Sequence, residues 1–232
     1  PAFKRLAVAA AAAVRRQGFN AGIICDHRYG SEALFDAAKA GLWHARPIEV
    51  AGTKPIEFVT GHDIGSSLVE WPRKQVVKCL CHFDLSDPEP MRLRQEEQLK
   101  RVNQACMALG RDFLLEVIPS GQYPDRGEAV AATMEHLYGL GIRPDWWKLE
   151  PFEEAASWMN IAHVIARNDP YCRGVLILGL TSAAGALQRS FAAAAEFDIV
   201  RGFAVGRAIV ATPIEAWLKN EIGDAEARAR ME

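Results

Sequence analysis

The sequence predicts an α/β fold, a (β/α)8 TIM barrel formed by a single domain over residues 1–232. Half of the 232 residues are apolar, which is enough to bury one large core. Short apolar runs alternate with amphipathic helical stretches along almost the whole chain, as repeated βα units require. No Gly-rich GxGxxG or P-loop segment follows the first predicted strand, which favours a closed barrel over an open, nucleotide-binding sheet.

The first element, over residues 1–20, is predicted to be a helix that packs on the domain. Its KRLAVAAAAAVRRQGF segment imitates a secretory signal, because two basic residues precede an apolar run. Arg15 and Arg16 follow that run directly, however, and alanine is the best helix former. The chain begins with Pro1 instead of methionine, which suggests a processed terminus or a fragment of a longer polypeptide.

The strands are predicted from short apolar runs bounded by Gly, Pro or Asp, a pattern typical of strands buried on both faces of a parallel sheet. The six clearest runs cover residues 21–26, 76–83, 113–118, 146–150, 174–180 and 202–210. Two shorter runs, RPIEV at 46–50 and PIEFV at 55–59, bring the number to eight. These two runs are too close together for a full helix between them, so the second and third βα units are expected to be compressed.

The predicted helices carry start and stop signals. The stretch that begins at Ser86 or Asp87 has Pro88 in its first turn and ends at Gly110. Loops between elements are short, and no linker-like stretch divides the chain. A single domain is therefore expected.

The composition argues against several classes of function. A formal net charge of −2 provides no basic surface for nucleic acid, and no apolar run is long enough to span a membrane. The five cysteines match no disulfide framework or zinc motif, which predicts buried thiols and a cytoplasmic protein. The six histidines show no HxH or HxxxH spacing, so neither a metal nor another cofactor is expected.

Charged side chains lie at or near the C-terminal ends of four predicted strands, where barrels hold their active sites. They are Asp26, His27, Arg28, Lys78, His82, Glu116, Lys148 and Glu150. Because side chains alternate along a strand, Lys148 and Glu150 share one face, as do Lys78 and His82. If those faces point inward, two lysines and at least two carboxylates converge on one pocket. The structural alternative is a buried Lys148–Glu116 ion pair that ties strands together.

A lysine inside an apolar barrel has a specific chemical use. Burial and a neighbouring ammonium both lower its pKa, so that a neutral amine can attack a ketone and form a Schiff base. The resulting iminium withdraws electrons and allows the adjacent carbon–carbon bond to break. A carboxylate must then take and return protons, and Glu116 and Asp26 are the two candidates for this role.

The last two predicted strands suggest a phosphate site. LGLTSAAG follows one of them and GFAVGRAI forms the other. Glycines at these βα loops let backbone N–H groups approach an anion, and Arg207 can add a bidentate contact. Glycine at a strand end is equally common for packing reasons.

Six segments of the chain resemble a known family. CDHR, VVKCLCHFDLSDPE, FLLEVIP, PDWWKLEP, DPYCRGVLILGL and GFAVGRAI are similar to the aldolase-like domain fused C-terminal to 5-dehydro-2-deoxygluconokinase of myo-inositol catabolism. The resemblance extends from about residue 20 to residue 220. That domain is in turn similar to the class I tagatose-bisphosphate aldolases, which are (β/α)8 barrels.

The resemblance implies a role for each matching residue. Lys148 would be the Schiff-base lysine, Lys78 the second lysine of the pocket, Glu116 the proton shuttle and Asp26 a first-strand acid. The phosphate would be held by Gly179, Gly206 and Arg207. Arg28 and Arg46 are candidates for the substrate carboxylate, and Glu150 is a further pocket candidate.

The resemblance also implies a reaction. The protein would be an aldehyde-lyase of carbohydrate metabolism that cleaves 2-deoxy-5-keto-D-gluconate 6-phosphate to dihydroxyacetone phosphate and malonate semialdehyde. The alternative is a non-catalytic barrel module that binds a sugar phosphate and regulates or scaffolds a sugar kinase. A fused or partner sugar kinase and a homo-oligomer are compatible with either function.

Overall fold

The computed structural model describes residues 2–179 and 184–232, and at positions 184, 207 and 208 it describes the backbone only. The strands are β1 Gly22–Ile24, β2 Trp43–Pro47, β3 Val76–Cys81, β4 Phe113–Val117, β5 Trp146–Leu149, β6 Gly174–Gly179 and β7 Val200–Val205. The helices are α1 Ala2–Arg16, α2 Ser31–Lys39, α3 Ile64–Val69, α4 Glu89–Leu109, α5 Arg126–Gly139, α6 Ala155–Asn168, α7 Ala184–Ala194, α8 Arg207–Leu218 and α9 Asp224–Ala229. Over the described residues, no helix is both long and apolar enough to cross a bilayer.

The strands follow one another through the sheet in chain order. Within the described residues, seven strands form a single sheet with the order β1 to β7. The pairs β1–β2, β3–β4, β4–β5 and β5–β6 are parallel. Helices alternate with these strands along the chain. A doubly wound sheet would reverse its strand order partway, so the structure confirms the predicted α/β, TIM-barrel-like fold class.

The chain divides into two compact units. The first unit consists of Pro1–Pro47, Lys74–Val76 and Val205–Glu232. The second unit consists of Ile48–Arg73 and Val77–Ala204. The second unit contains β4, β5, β6 and nearly all of β3 and β7.

The first unit is built around the alanine-rich helix α1, Ala2–Arg16, which lies within the segment 1–20 predicted to be helical. Val8 of α1 shares one small core with Ala33 and Leu34 of α2. Ala10 of the same helix shares a second small core with Ala227 and the region that follows α9. Because alanine side chains are small, α1 approaches both α2 and α9 closely.

The second unit has the large hydrophobic core of the protein. One face of its strands contributes the fully buried residues Cys79, Leu115 and Trp147, which pack with α4, α5 and α6. The core-facing side chains of these helices include Leu99, Val102, Met134, Leu137, Trp158 and Ile161. Because side chains alternate along a strand, the residues next to Cys79, Leu115 and Trp147 belong to the opposite face of the sheet.

The region predicted to hold the compressed second and third βα units, which includes residues 46–59, contains fewer strand residues than the sequence predicts. The predicted strand 46–50 lies instead at Trp43–Pro47, and the predicted strand 55–59 is wrong. That segment runs antiparallel to residues 48–50, with a bridge between Glu49 and Phe58 and a bond from Val59 N to Ile48 O of 2.8 Å. Its alternating pattern comes from Ile56 and Phe58, which are buried in the core of the second unit. The region also holds the short helix α3, and no eighth strand occurs among the described residues.

The last predicted strand also ends earlier than expected. The sequence predicts a strand over 202–210, whereas β7 is Val200–Val205 and α8 begins at Arg207. Gly206 separates the two elements as the N-cap of α8. Apolar β-branched residues continue into this helix, so the apolar run alone could not show where the strand ends.

Candidate active site

Four ionisable side chains of the second unit form a continuous buried chain of contacts. Lys148 Nζ lies 2.8 Å from Glu116 Oε1. Lys78 Nζ lies 3.0 Å from Glu116 Oε2 and 2.5 Å from Glu49 Oε1. Each of these side chains is 10% exposed or less. We call Glu49, Lys78, Glu116 and Lys148 the lysine–glutamate cluster, in which negative and positive groups alternate.

Strand register places three members of the cluster side by side. Glu116 of β4 is the register partner of Lys148 on β5 and of Leu80 on β3. Lys78 lies two residues before Leu80 and therefore on the same face of β3. Both lysines consequently flank Glu116, one from each neighbouring strand.

Glu49 reaches the cluster from outside the named strands. The preceding residue, Ile48, donates its N–H to Lys78 O at 2.9 Å. Val50 N donates to Glu57 O at 2.7 Å, and the Glu49–Phe58 bridge lies between these contacts. We call residues 48–59 the hairpin, and its backbone bonds fix the carboxylate of Glu49 against Lys78.

The two lysines differ in the direction of their pKa shifts. Burial lowers the pKa of Lys148, and the contact with Glu116 offsets this only in part, while the Lys78 ammonium lowers it further. Burial also acts to lower the pKa of Lys78, but Glu49 and Glu116 together outweigh it and raise the pKa. At neutral pH, Lys148 is therefore the member of the pair that more readily gives up a proton to become a free amine.

The pKa values of the two carboxylates also shift in opposite directions. Burial acts to raise the pKa of Glu116, but Lys78 and Lys148 outweigh it and lower the pKa, so Glu116 is ionised at neutral pH. Burial raises the pKa of Glu49, and the contact with Lys78 compensates only in part. In the described part of the chain, Glu49 Oε2 is buried and has no hydrogen-bond partner.

Three of the four predicted catalytic residues thus meet in one cluster: Lys148, Lys78 and Glu116. The predicted Lys148–Glu116 ion pair is also present. The fourth residue, Asp26, lies in the first unit, where its carboxylate contacts Lys4 and accepts a bond from Tyr29 N at 2.8 Å. Burial acts to raise the pKa of Asp26, but Lys4 and the Tyr29 N–H outweigh it and lower the pKa.

The predicted binding residues occupy different environments. Arg28 is exposed, with its guanidinium 5.2 Å from the ring centre of Tyr29. Arg46 is half-buried, and this burial lowers its pKa. Gly179 ends β6 and Gly206 precedes α8, whereas the side chain of Arg207 lies outside the described residues.

Glu150 has a partner that the sequence did not reveal. Its Oε2 accepts a hydrogen bond of 2.5 Å from Arg126 Nη2. Arg126 also donates to Gly121 O at 2.9 Å. Glu150 thereby ties the end of β5 to the start of α5 and to the loop before it.

Glu49 is the member of the cluster that sequence reasoning missed. Its signal in the sequence is a single charged residue inside a short apolar run. Glu49 lies in IEV, just as Lys78, Glu116 and Lys148 lie in VKC, LEV and WKL. The pairing itself depends on the hairpin, which no local pattern in the sequence specifies.

A second polar network joins the loops that follow β3 and β4. Asp84 Oδ1 accepts bonds from Ser86 N at 2.9 Å and from Ser86 Oγ at 2.6 Å, and it also contacts Tyr123 OH. Burial acts to raise the pKa of Asp84, but these donors outweigh it and lower the pKa to about 2. The two loops lie so close together that a Cβ atom at Gly121 would be only 2.6 Å from Asp84 Oδ2. The network fixes the C-terminal ends of two strands that carry the cluster.

Solved structures with a similar fold include proteins named as aldolases. A fructose-bisphosphate aldolase from Slackia heliotrinireducens is 15% identical, with 99% of this chain and 76% of that chain covered and a TM-score of 0.62. The YdjI aldolase from Escherichia coli is 9% identical, with 99% and 82% covered and a TM-score of 0.59. Cgl0159 from Corynebacterium glutamicum is 19% identical, with 100% and 75% covered and a TM-score of 0.61. At these identities the likeness establishes an aldolase-like fold.

Sequence comparisons give a complementary result. A family model described as "Uncharacterized protein conserved in bacteria (DUF2090)" matches residues 1–232. No curated protein matches the chain.

Proposed function

The chain belongs to the DUF2090 family, and we propose that it is a class I aldolase that forms a Schiff base on Lys148. One observation carries the proposal. A buried lysine with a lowered pKa contacts an ionised carboxylate that it shares with a second lysine. Each unit by which a lysine pKa falls raises its free-amine fraction at neutral pH about tenfold. The aldolase-like fold supports the same function.

The first step forms the imine. The Lys148 amine attacks the ketone carbon of the substrate, and the carbonyl oxygen leaves as water after it has taken one proton from the amine nitrogen and one from solvent. The nitrogen then bears the positive charge of an iminium. Before the attack, the Lys78 ammonium disfavours a second positive charge nearby. It therefore helps to keep Lys148 as a neutral amine.

The second step breaks the carbon–carbon bond. The electron pair of the breaking bond moves into the iminium and gives an enamine, while the hydroxyl on the departing carbon becomes an aldehyde. The hydroxyl proton passes to Glu116, which is suited to be a base because it is ionised. Protonation of the enamine carbon and attack by water then release the ketone product and restore Lys148.

The proposed substrate is a phosphorylated keto-sugar acid, 2-deoxy-5-keto-D-gluconate 6-phosphate. Its ketone lies beside the phosphate-bearing carbon and its carboxylate at the other end. Backbone N–H groups near Gly179 and Gly206, together with Arg207, are proposed to hold the phosphate. Arg28 or Arg46 is proposed to hold the carboxylate.

Borohydride trapping tests this function. Incubation with dihydroxyacetone phosphate and borohydride should reduce the iminium to one stable adduct, which peptide mapping by mass spectrometry should locate at Lys148. Lys148→Ala should form no adduct. Lys74→Ala, which removes an exposed lysine, should react like the unsubstituted protein.

Turnover is measured in parallel as release of dihydroxyacetone phosphate from the proposed substrate. Failure of the folded protein to form an adduct with any of several keto-sugar phosphates would overturn the Schiff-base mechanism. Ligand-induced thermal stabilisation without adduct or turnover would instead indicate the non-catalytic, sugar-phosphate-binding module.

A further inference from the structure

Among the residues that the structure describes, the ion pairs of the two lysines of the cluster differ in one partner. Both touch Glu116, Lys148 through Oε1 and Lys78 through Oε2. Only Lys78 also contacts Glu49. Their side chains are equally hidden from solvent, at 10% and 7% exposed. A reaction that requires one amine must discriminate between two buried lysines that share one carboxylate.

The additional carboxylate determines which lysine keeps its proton. A buried ammonium is stable only when it is paired, and one carboxylate shared by two lysines cannot fully compensate both. Two carboxylates on Lys78 favour its charged form, and this fixed charge in turn disfavours a charge on Lys148. Without Glu49, Glu116 would be the one carboxylate of the cluster left for both lysines.

The position of Glu49 is fixed by the hairpin. Backbone bonds hold the residues on both sides of it, and its side chain is 8% exposed. The other titratable groups that act on it are Glu116, Lys148, Cys79 and Cys81. Glu49 itself acts to raise the pKa of Lys148, but less than the Lys78 ammonium acts to lower it. Burial raises the pKa of both thiols, so they remain neutral and do not compete for Lys78.

We propose that Glu49 makes Lys148 the nucleophile by holding Lys78 as an ammonium. This inference rests on the proposed function, because it states how the site chooses between its two amines. Glu49 acts through Lys78 and is a positioning residue. Replacing Glu49 should therefore change which lysine forms the adduct, as well as the rate of the reaction.

The test is the Glu49→Gln variant, whose amide can still accept a hydrogen bond from Lys78 but carries no charge. After trapping with dihydroxyacetone phosphate and borohydride, peptide mapping should show the adduct divided between Lys78 and Lys148. The fraction of the adduct on Lys78 should rise at least about tenfold, which is the effect of lowering the pKa of Lys78 by one unit. Glu49→Asp should restore the preference for Lys148, and Glu57→Gln, an exposed carboxylate on the same hairpin, should not change it.

A second measurement separates this inference from the proposed function. Competitive acetylation with acetic anhydride reports the free-amine fraction of each lysine and requires no aldolase activity. In Glu49→Gln, the reactivity of Lys78 should rise at least about tenfold relative to an exposed lysine. An unchanged reactivity of Lys78 would overturn the inference, as would an adduct confined to Lys148 in folded Glu49→Gln. Absence of any adduct in the unsubstituted protein would overturn the proposed function alone.

Discussion

At the scale of single residues, the environment of each charge determines its chemistry. Lys78 and Lys148 are buried to a similar degree, yet their pKa values shift in opposite directions because one contacts two carboxylates and the other contacts one. Glu116 is ionised because it lies between both lysines. This arrangement provides an amine and a base within hydrogen-bond distance of each other, the combination that Schiff-base chemistry requires.

Glu116→Gln should separate the two steps of the proposed reaction. Loss of the carboxylate removes the base, so turnover should fall by about 10²-fold or more. The trapped adduct on Lys148 should persist, because without Glu116 burial keeps more of Lys148 as the amine. Adduct yield and turnover are measured on the same preparation, with the exposed Glu128→Gln as the control. A parallel loss of adduct and turnover would argue against a separate role for Glu116 in bond cleavage.

At the scale of secondary-structure elements, the sequence predicted those strands that a local pattern of residues specifies. β3, β4 and β5 were predicted correctly, because a run buried on both faces differs clearly from its flanking turns. The hairpin was misread, because Ile56 and Phe58 alternate with polar residues as they would in a barrel strand. Glu49 was missed because its contact with Lys78 depends on the backbone bond from Ile48 N to Lys78 O, which no local pattern in the sequence specifies.

The loops after β3 and β4 depend on Asp84. Its folded pKa of about 2 lies below the ordinary 3.8, so its stabilising contribution is complete above about pH 4 and is lost as the pH falls towards 2. A shift of this size corresponds to about 2 kcal/mol of unfolding free energy. Asp84→Asn should therefore lower the free energy of unfolding by about 2 kcal/mol at neutral pH.

Urea denaturation from pH 7 to pH 2 measures this contribution. The difference between Asp84→Asn and the unsubstituted protein should shrink as the pH falls below 4. Asp198→Asn, which removes an exposed carboxylate, should change the free energy of unfolding little at any pH. A difference that stays constant with pH would show that the Asp84 carboxylate is not held ionised by its donors.

At the scale of the whole molecule, the candidate site is built on the more extensive core. The second unit buries a large continuous cluster of apolar side chains under the strands that carry Lys78, Glu116 and Lys148. The first unit contains two smaller clusters around α1. Reacting groups must be held close to their productive geometry, and densely packed strands provide that rigidity better than loops do.

Hydrogen exchange should reflect this difference in packing. Backbone amides in 76–81, 113–117 and 146–149 lie on strands that pack against the large core, so their exchange requires extensive opening. Amides in 22–24 and 43–47 belong to the unit with smaller clusters and should exchange at least about tenfold faster. Exchange followed by mass spectrometry, corrected with a fully exchanged reference, measures both sets in one experiment. Equal protection would mean that the protein opens as one cooperative unit, and the rigidity of the site would then have to come from the molecule as a whole.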